Sequence, residues 1–367
     1  MQTPLIWVLL DDRPGHQTQA KGLASELGQP FQTKMLAFNA VNKLPNSLIG
    51  ATIWSLDRQK SDLLAPPWPD IVIAMGRRCL PVARWIRRSS DCRSKLIHVG
   101  RKGVTAADEF SLLISCAHFN MPPHRNRLAV TLPPTQVTET SLAEARHEWP
   151  DLMTGRGQPR LVLLAGGETT LHDFPASFAR DLVLRAEAAA RALGGSLTVV
   201  TSRRTSPEAV QAMQQAADET VFHLWGGGAQ AGNPYLGYLA SADGLIVTGE
   251  SESMLAEAAS TGKPLYIAPL PSKRLGAKKR LRRAMTVAAR RQHGGLAKLC
   301  CAVFNNGWMT PSRDLEKMHA LMYESGLARP FATELSLSVP SRKDTSKLFL
   351  DRMAGIVTSF SQPSTQP

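Results

Sequence analysis

Cysteine is scarce and unpatterned. Cys79, Cys92, Cys116, Cys300 and Cys301 make up the five in 367 residues, and none stands in C-x-x-C spacing. That excludes a disulfide-built scaffold, offers no zinc-ligand pattern and suits a reducing compartment. Long apolar runs are missing as well: no stretch approaches the roughly 18 residues that a membrane span needs. Ile6-Trp7-Val8-Leu9-Leu10 has no basic stretch before it and runs straight into Asp11-Asp12-Arg13, so it reads as a strand and not as a signal peptide. The expected location is the cytoplasm, with peripheral attachment at the inner face of the inner membrane left open.

One further absence is local. From Ala258 to Arg313 there is no aspartate or glutamate, while twelve lysines and arginines fall in the same stretch. The formal net charge of +13 arises there, because without those twelve the 43 basic residues nearly match the 30 acidic ones. Leu281, Met285 and Ala288 recur at i, i+4 and i+7 among Lys278, Arg282 and Arg283, the pattern of a basic amphipathic helix. Two readings stand side by side: a solvated helix that keeps the protein soluble, or a segment, 273–291, that rests on an anionic membrane surface. No aromatic side chains interleave with these cations, which disfavours a nucleic-acid partner.

What is present is alternation. A chain of this length exceeds what one core organises, so two domains are expected. In the first, Ile6–Leu10, Ile71–Met75, Lys95–Val99, Ser111–Ser115 and Leu128–Leu132 read as strands, and 17–27 reads as a helix stopped by Gly28. These are Val, Ile and Leu runs with little alternation, as in a parallel sheet covered on both faces. Pro133-Pro134 and the polar stretch to Gly157 form the expected linker. In the second set, strands are expected over 160–164, 197–201, 221–224 and 244–248, and helices over 174–193 and 207–217. The order predicts an α/β protein with two facing Rossmann-like, doubly wound domains, over 1–150 and 158–335. Residues 336–367 are expected to add a C-terminal helix over 345–360, crossing back to the first domain, and then a disordered tail.

Three loops follow strands of the second set, at the edge where open α/β sheets bind ligands. Gly166-Gly167 lets backbone approach a ligand closely, or merely turns the chain. Ser202, Arg203 and Arg204 can hold a diphosphate through charge-assisted bonds, or simply form a helix-capping turn with exposed arginines. Gly249-Glu250-Ser251-Glu252-Ser253-Met254 opens a helix whose free amides and dipole suit a phosphate. Glu257, one turn further, is placed to accept bonds from ribose hydroxyls, or is a solvated helix glutamate. Glu250 and Glu252 are the weak point, since two carboxylates oppose a diphosphate unless one points away. After the first strand, Asp11-Asp12-Arg13-Pro14-Gly15-His16 puts an imidazole at a helix start, where the dipole favours its neutral, basic form. His16 is one candidate general base and Asp12 the rival; their bland alternatives are a backbone hydrogen bond and a helix cap. Arg13, Gly15, Gln19 and Arg77 complete the expected acceptor side.

These blocks also carry a resemblance. Asp12-Arg13-Pro14-Gly15-His16 with Gln19, the Thr201–Thr205 block, Asn233-Pro234-Tyr235, Val247-Thr248-Gly249, Ser251, Ser253-Met254, Glu257-Ala258, Thr261-Gly262-Lys263-Pro264 and Arg329-Pro330-Phe331 resemble the mitochondrial fission ELM-type family. That family is named after a plant protein, and its bacterial members are described as candidate glycosyltransferases of the GT-B fold. The resemblance implies a nucleotide-sugar donor in the C-terminal domain; together with the loops read above, the residues expected to bind it are Gly166, Gly167, Ser202, Arg203, Arg204, Asn233, Glu250, Ser251, Ser253, Met254 and Glu257. It implies an acceptor in the N-terminal domain and no bound metal or resident cofactor. Where the family usually has Asp-Ser after Thr-Gly this chain has Glu250-Ser251, and the segment from about 276 to 311 is longer than the family's.

The leading expectation is a metal-independent glycosyltransferase acting on a cell-envelope acceptor, lipid or polysaccharide. A nucleotide-sugar epimerase on the same scaffold is the second, and a non-catalytic adaptor of the mitochondrial-fission type the third. The base, the sugar, the acceptor and the stereochemical outcome are not written in these loops.

Overall fold

A computed structural model describes residues 3–25, 27–103, 105–226, 232–291, 293–305, 308–332 and 334–338. The expected C-terminal helix at 345–360 and the tail lie outside these residues. The described chain forms two compact units, 3–136 with 277–314 and 137–276 with 315–338. The basic run thus belongs with the first unit, although it follows the second unit's strands in sequence.

In chain order the first unit holds β1 (Ile6–Leu10), α1 (Pro14–Ser25), β2 (Gln32–Met35), α2 (Asn46–Ile49), β3 (Ile71–Met75), α3 (Gly76–Ser89), β4 (Lys95–Val99), β5 (Phe110–Cys116) and β6 (Arg127–Val130). The second begins with α4 (Glu139–Glu148), β7 (Arg160–Ala165), α5 (Ala176–Ala192), β8 (Ser196–Thr201), α6 (Pro207–Ala216) and β9 (Val221–His223). It continues with α7 (Tyr235–Ser241), β10 (Gly244–Thr248), α8 (Glu252–Ser260) and β11 (Leu265–Ala268). The chain then returns to the first unit for α9 (Ala277–Arg290) and α10 (Gly295–Asn305), and closes the second with α11 (Leu315–Glu324) and β12 (Arg329–Pro330).

Both sheets are six-stranded and parallel, in the orders β2-β1-β3-β4-β5-β6 and β12-β11-β10-β7-β8-β9. Two doubly wound α/β units are therefore what the alternation predicts. The central strands are buried from end to end, and separate apolar clusters cover the two faces of the first sheet. Each Ile, Leu or Val fully buried there contributes roughly 1.5–3 kcal/mol of transfer free energy. Helix α5 packs on the second sheet through Ala179, Leu182, Val183, Ala186 and Ala190, one stripe at helical period.

The two sheets are pinned alike at their amino ends. Asp70, just before β3, accepts from the amide of Leu5 at 2.8 Å, and Asp243, just before β10, accepts from the amide of Arg160 at 2.8 Å. In each sheet strand order reverses beside the first strand, between β1 and β3 and between β7 and β10. The crevice at the carboxyl ends of such a pair is where open α/β sheets take ligands.

Helix α1 starts earlier than the glycine-and-histidine pattern suggests, because Pro14 enters its first turn, where a missing N–H costs nothing. The strand β2 is the hidden one, since its Gln-Thr-Lys-Met sequence is largely solvent-facing at the sheet edge. Among the described residues no helix is long and apolar enough to cross a membrane.

Candidate functional site

At the first switch point the loop after β1 meets the turn after β3. Asp11 closes β1 and is buried, with 1% exposure. Its Oδ2 lies 3.0 Å and its Oδ1 3.1 Å from Nδ1 of His16, in the first turn of α1. Oδ1 also accepts from the Arg13 amide at 3.2 Å. Burial pushes the Asp11 carboxyl up, but the His16 hydrogen bond and charge and the Arg13 amide outweigh it and hold it below its usual value. An ionised carboxylate only accepts, so Nδ1 carries the hydrogen and a neutral imidazole keeps its lone pair on Nε2.

Opposite the ring stands Gly76, at φ +70°, where a Cβ would fall 2.6 Å from Cε1 of His16. Glycine is required there twice over, by the left-handed backbone and by the imidazole. Gly76 in turn offers its carbonyl to Nε2 of His98 at 3.2 Å. Burial depresses His98 to about 3, against the Gly76 bond and with help from the Lys102 and Arg127 charges, so it stays neutral.

The rival base stands elsewhere. Asp12 is exposed and pairs with Arg78 at 2.7 Å, so it neither caps α1 nor touches His16. Arg13 and Gly15 are exposed and Gln19 half-buried on the same turn and helix. Arg77 directs its guanidinium to the carbonyls of Leu44, at 2.7 Å, and Asn42. Burial and the neighbouring Arg78 and Arg13 charges lower it. Sequence reasoning misses Asp11 because Asp11 and Asp12 are chemically alike; only the strand's end decides which one turns inward.

At the second switch point three loops interlock. Glu250, after β10, is buried, and its Oε1 accepts from the Gly167 amide at 3.0 Å and from Arg204 at 3.3 Å. Its Oε2 is buried without a partner. Thr248 Oγ1 accepts from the Gly166 amide at 2.8 Å, and Thr205 Oγ1 donates to the Gly166 carbonyl at 2.6 Å. Ser202 Oγ accepts from the Arg204 amide at 3.2 Å. Loops 166–167, 202–205 and 248–250 therefore meet, as their place after parallel strands predicts.

The glycines serve the protein's own groups. A Cβ on Gly166 would fall 1.8 Å from Glu250 Oε1, and one on Gly167 1.9 Å from the Arg204 carbonyl. Both amides are already spent on Thr248 and Glu250, so these two residues shape the loop and leave ligand contacts to others. Glu250 is likewise an internal tie: burial pushes its carboxyl up, against the Gly167 bond and the Arg204 charge.

Around this knot lie the remaining candidate groups. Arg203 is exposed. Ser251, buried at the N-cap of α8, makes no capping bond with its hydroxyl, and Ser253 and Met254 are half-buried in the helix's first turn. Glu257 is half-buried and accepts from the Tyr235 hydroxyl at 2.7 Å, and burial raises both groups. Asn233 is exposed, and its Oδ1 takes the Tyr235 amide at 3.1 Å to start α7. His319 on α11 reaches the Gly249 carbonyl at 2.8 Å and fixes the turn before α8. His319 leaves no signal in sequence and Tyr235 only its place in the Asn233-Pro234-Tyr235 block; tertiary packing joins them to this site.

The molecule is thus a protein of two doubly wound α/β units, each with its polar loops gathered at the switch point of its sheet. The chain belongs to the family described as Mitochondrial fission ELM1, which matches residues 14–292. An uncharacterized protein of Rickettsia prowazekii is 24% identical over 299 residues, 71% of this chain and 82% of that one. The mitochondrial fission protein ELM1 of Arabidopsis thaliana is 26% identical over 224 residues, 54% of this chain, which spans only 51% of the plant protein. Among solved structures, MurG of Acinetobacter baumannii aligns over 96% of this chain and all of its own, with 14% identity and a TM-score of 0.40. A UDP-glucosyltransferase of Polygonum tinctorium aligns over 97% and 99%, with 9% identity and a TM-score of 0.45. A UDP-GlcNAc 2-epimerase of Methanocaldococcus jannaschii aligns over 71% and 83%, with 12% identity and a TM-score of 0.42.

Proposed function

We infer that the chain is a glycosyltransferase, moving a sugar from a nucleoside-diphosphate sugar to a hydroxyl of a cell-envelope acceptor, lipid or polysaccharide. The observation that carries this reading is His16 held by the buried carboxylate of Asp11. Such a pair fixes the tautomer, leaves Nε2 as the base and stabilises the imidazolium once the acceptor's proton arrives. His16 takes the role of base and Asp11 positions it, in place of Asp12.

The second unit supplies the donor end. Arg203, Arg204 and the first-turn amides of α8 meet the diphosphate, whose negative charge grows as the sugar leaves. These cations and dipoles supply that stabilisation from the protein itself. Glu250 does not oppose the phosphate because Arg204 balances its charge and the fold buries it. Glu257 turns its remaining carboxylate capacity to a ribose hydroxyl, with Tyr235 fixing its rotamer. The basic face of α9 brings the protein to the anionic inner surface of a membrane, where such acceptors lie.

The test pairs two variants. Arg203→Ala is expected to weaken nucleoside-diphosphate binding, and His16→Ala to spare binding and abolish transfer. Turnover of nucleotide-sugar with no acceptor present, followed by NMR, would instead mark an epimerase. Absence of any melting shift with uridine, guanosine, adenosine and cytidine diphosphates would favour an adaptor.

A further inference from the structure

The first unit carries a second pocket, of about 140 Å³, walled by α2, α3, the turn after β4 and the end of α10. Its cations are Arg77, Arg84, Arg101 and Lys102, and none of the described residues lining it is acidic. Glu109 neutralises Arg84 through two contacts of 2.6 Å, and Arg77 and Lys102, which form no ion pair among the described residues, keep positive charge at the space. Lys102 is buried, and its ammonium meets the carbonyls of Gly103 and Thr105. Burial and the Arg84 and Arg127 charges lower it to about 8. Leu80, Met121, Phe304 and Met309 make the rest of the wall apolar.

The rim continues that apolar character outward. Leu48, between the lining residues Ser47 and Gly50, is 69% exposed, and Trp308, beside the lining Met309, is 77% exposed. Leu281 on α9 and Leu296 and Leu299 on α10 are exposed too, on helices whose other exposed side chains include Lys278, Arg280, Arg283 and Lys298. Helix α9 is tied to this unit by Thr286, which accepts from the Ser312 amide at 2.8 Å, and by Arg290, 3.3 Å from Asp314. A cationic interior under an apolar rim, flanked by basic helices with protruding leucines, complements an anionic head group with its hydrocarbon attached.

We propose that this pocket binds the phosphate head group of an anionic membrane lipid, with Leu48 and Trp308 entering the acyl region beside it. The site rests on the membrane attachment proposed above and adds a specific lipid contact to it; sugar transfer is not required for either. An inorganic phosphate uses the cations but not the rim, and so is a weaker occupant.

The experiment uses the full chain and two probes. One is flotation with vesicles of phosphatidylcholine alone, or of two parts phosphatidylcholine to one part phosphatidylglycerol. The other is calorimetry with monomeric dihexanoylphosphatidylglycerol and dihexanoylphosphatidylcholine. The protein is expected to float with the anionic vesicles and to bind the short anionic lipid about tenfold more tightly than the zwitterionic one. Ser47→Trp fills the pocket from an exposed position and is expected to weaken short-lipid binding about tenfold at unchanged melting temperature. Replacing Lys278, Lys279, Arg282 and Arg283 by glutamine is expected to reduce flotation and leave short-lipid binding intact. Equal binding of the two short lipids, wild-type binding by Ser47→Trp, or displacement by equimolar inorganic phosphate would each overturn the pocket assignment. Short-lipid binding without flotation would overturn the membrane lipid as occupant and leave only a site for a free anionic amphiphile, while the test of sugar transfer would stand apart from it.

Discussion

His16 Nδ1 lies 3.0 Å from Oδ2 of Asp11, so the imidazole is oriented by a carboxylate that solvent scarcely reaches. When the imidazole is neutral the hydrogen sits on Nδ1, and 15N spectra of His16 should show that tautomer. Asp11→Asn should mix the tautomers and lower the transfer rate roughly a hundredfold or more, with nucleotide affinity unchanged. An unaltered tautomer and rate in the variant would return Asp11 to a purely structural role.

Gly76→Ala tests the opposing wall. The new methyl group meets Cε1 of His16 at 2.6 Å in a left-handed backbone, so the ring must move. A loss of about 1–2 kcal/mol in stability is expected from the backbone alone. The His16 resonances should shift with it; if they stay in place while the protein folds normally, the ring is not packed as described.

Glu250 predicts a pH dependence. Its folded-state pKa is raised, so as pH rises the unfolded chain releases this proton first and the folded state loses relative stability. Glu250→Gln keeps an acceptor for the Gly167 amide and does not titrate. Its melting temperature relative to wild type should therefore climb as pH rises above the ordinary carboxylate range. A gap that is flat or closes over that range contradicts the buried placement.

His98 works in the opposite sense. The unfolded imidazole takes a proton near 6.5 and the folded one only near 3, so stability present above 6.5 is lost as pH falls through that window. The linkage is of the order of several kcal/mol. His98→Gln retains a donor for the Gly76 carbonyl and should flatten the acid limb of the melting curve between those two values. Equal acid sensitivity in both proteins would show that other groups dominate.

Much of this architecture is legible in the chain. The runs at 6–10, 71–75, 95–99 and 244–248 become strands at those residues because central parallel strands bury both faces and carry no polar interruption. The helix at Gly76–Ser89 is harder to see: Pro81 lies within it, and Cys79 to Ala83 are buried consecutively, which masks the helical period. Loops 166–167, 202–205 and 248–250 are predictable as neighbours from strand order alone. The inward turn of Asp11, the burial of Glu250 and the Tyr235–Glu257 bond are decided by packing between elements distant in sequence. The basic segment reads correctly as a helix, whereas its grouping with the first unit depends on contacts such as Thr286 with Ser312.

The central claim is a nucleotide site in the second unit whose diphosphate is held by the loop after β8. Calorimetry of wild type and Arg203→Ala with the four nucleoside diphosphates tests it most directly. The account predicts that one base binds clearly better than the others and that Arg203→Ala weakens it by about tenfold or more, as a lost charge-assisted contact does. Unchanged affinity in Arg203→Ala, or no binding of any of the four, would contradict it.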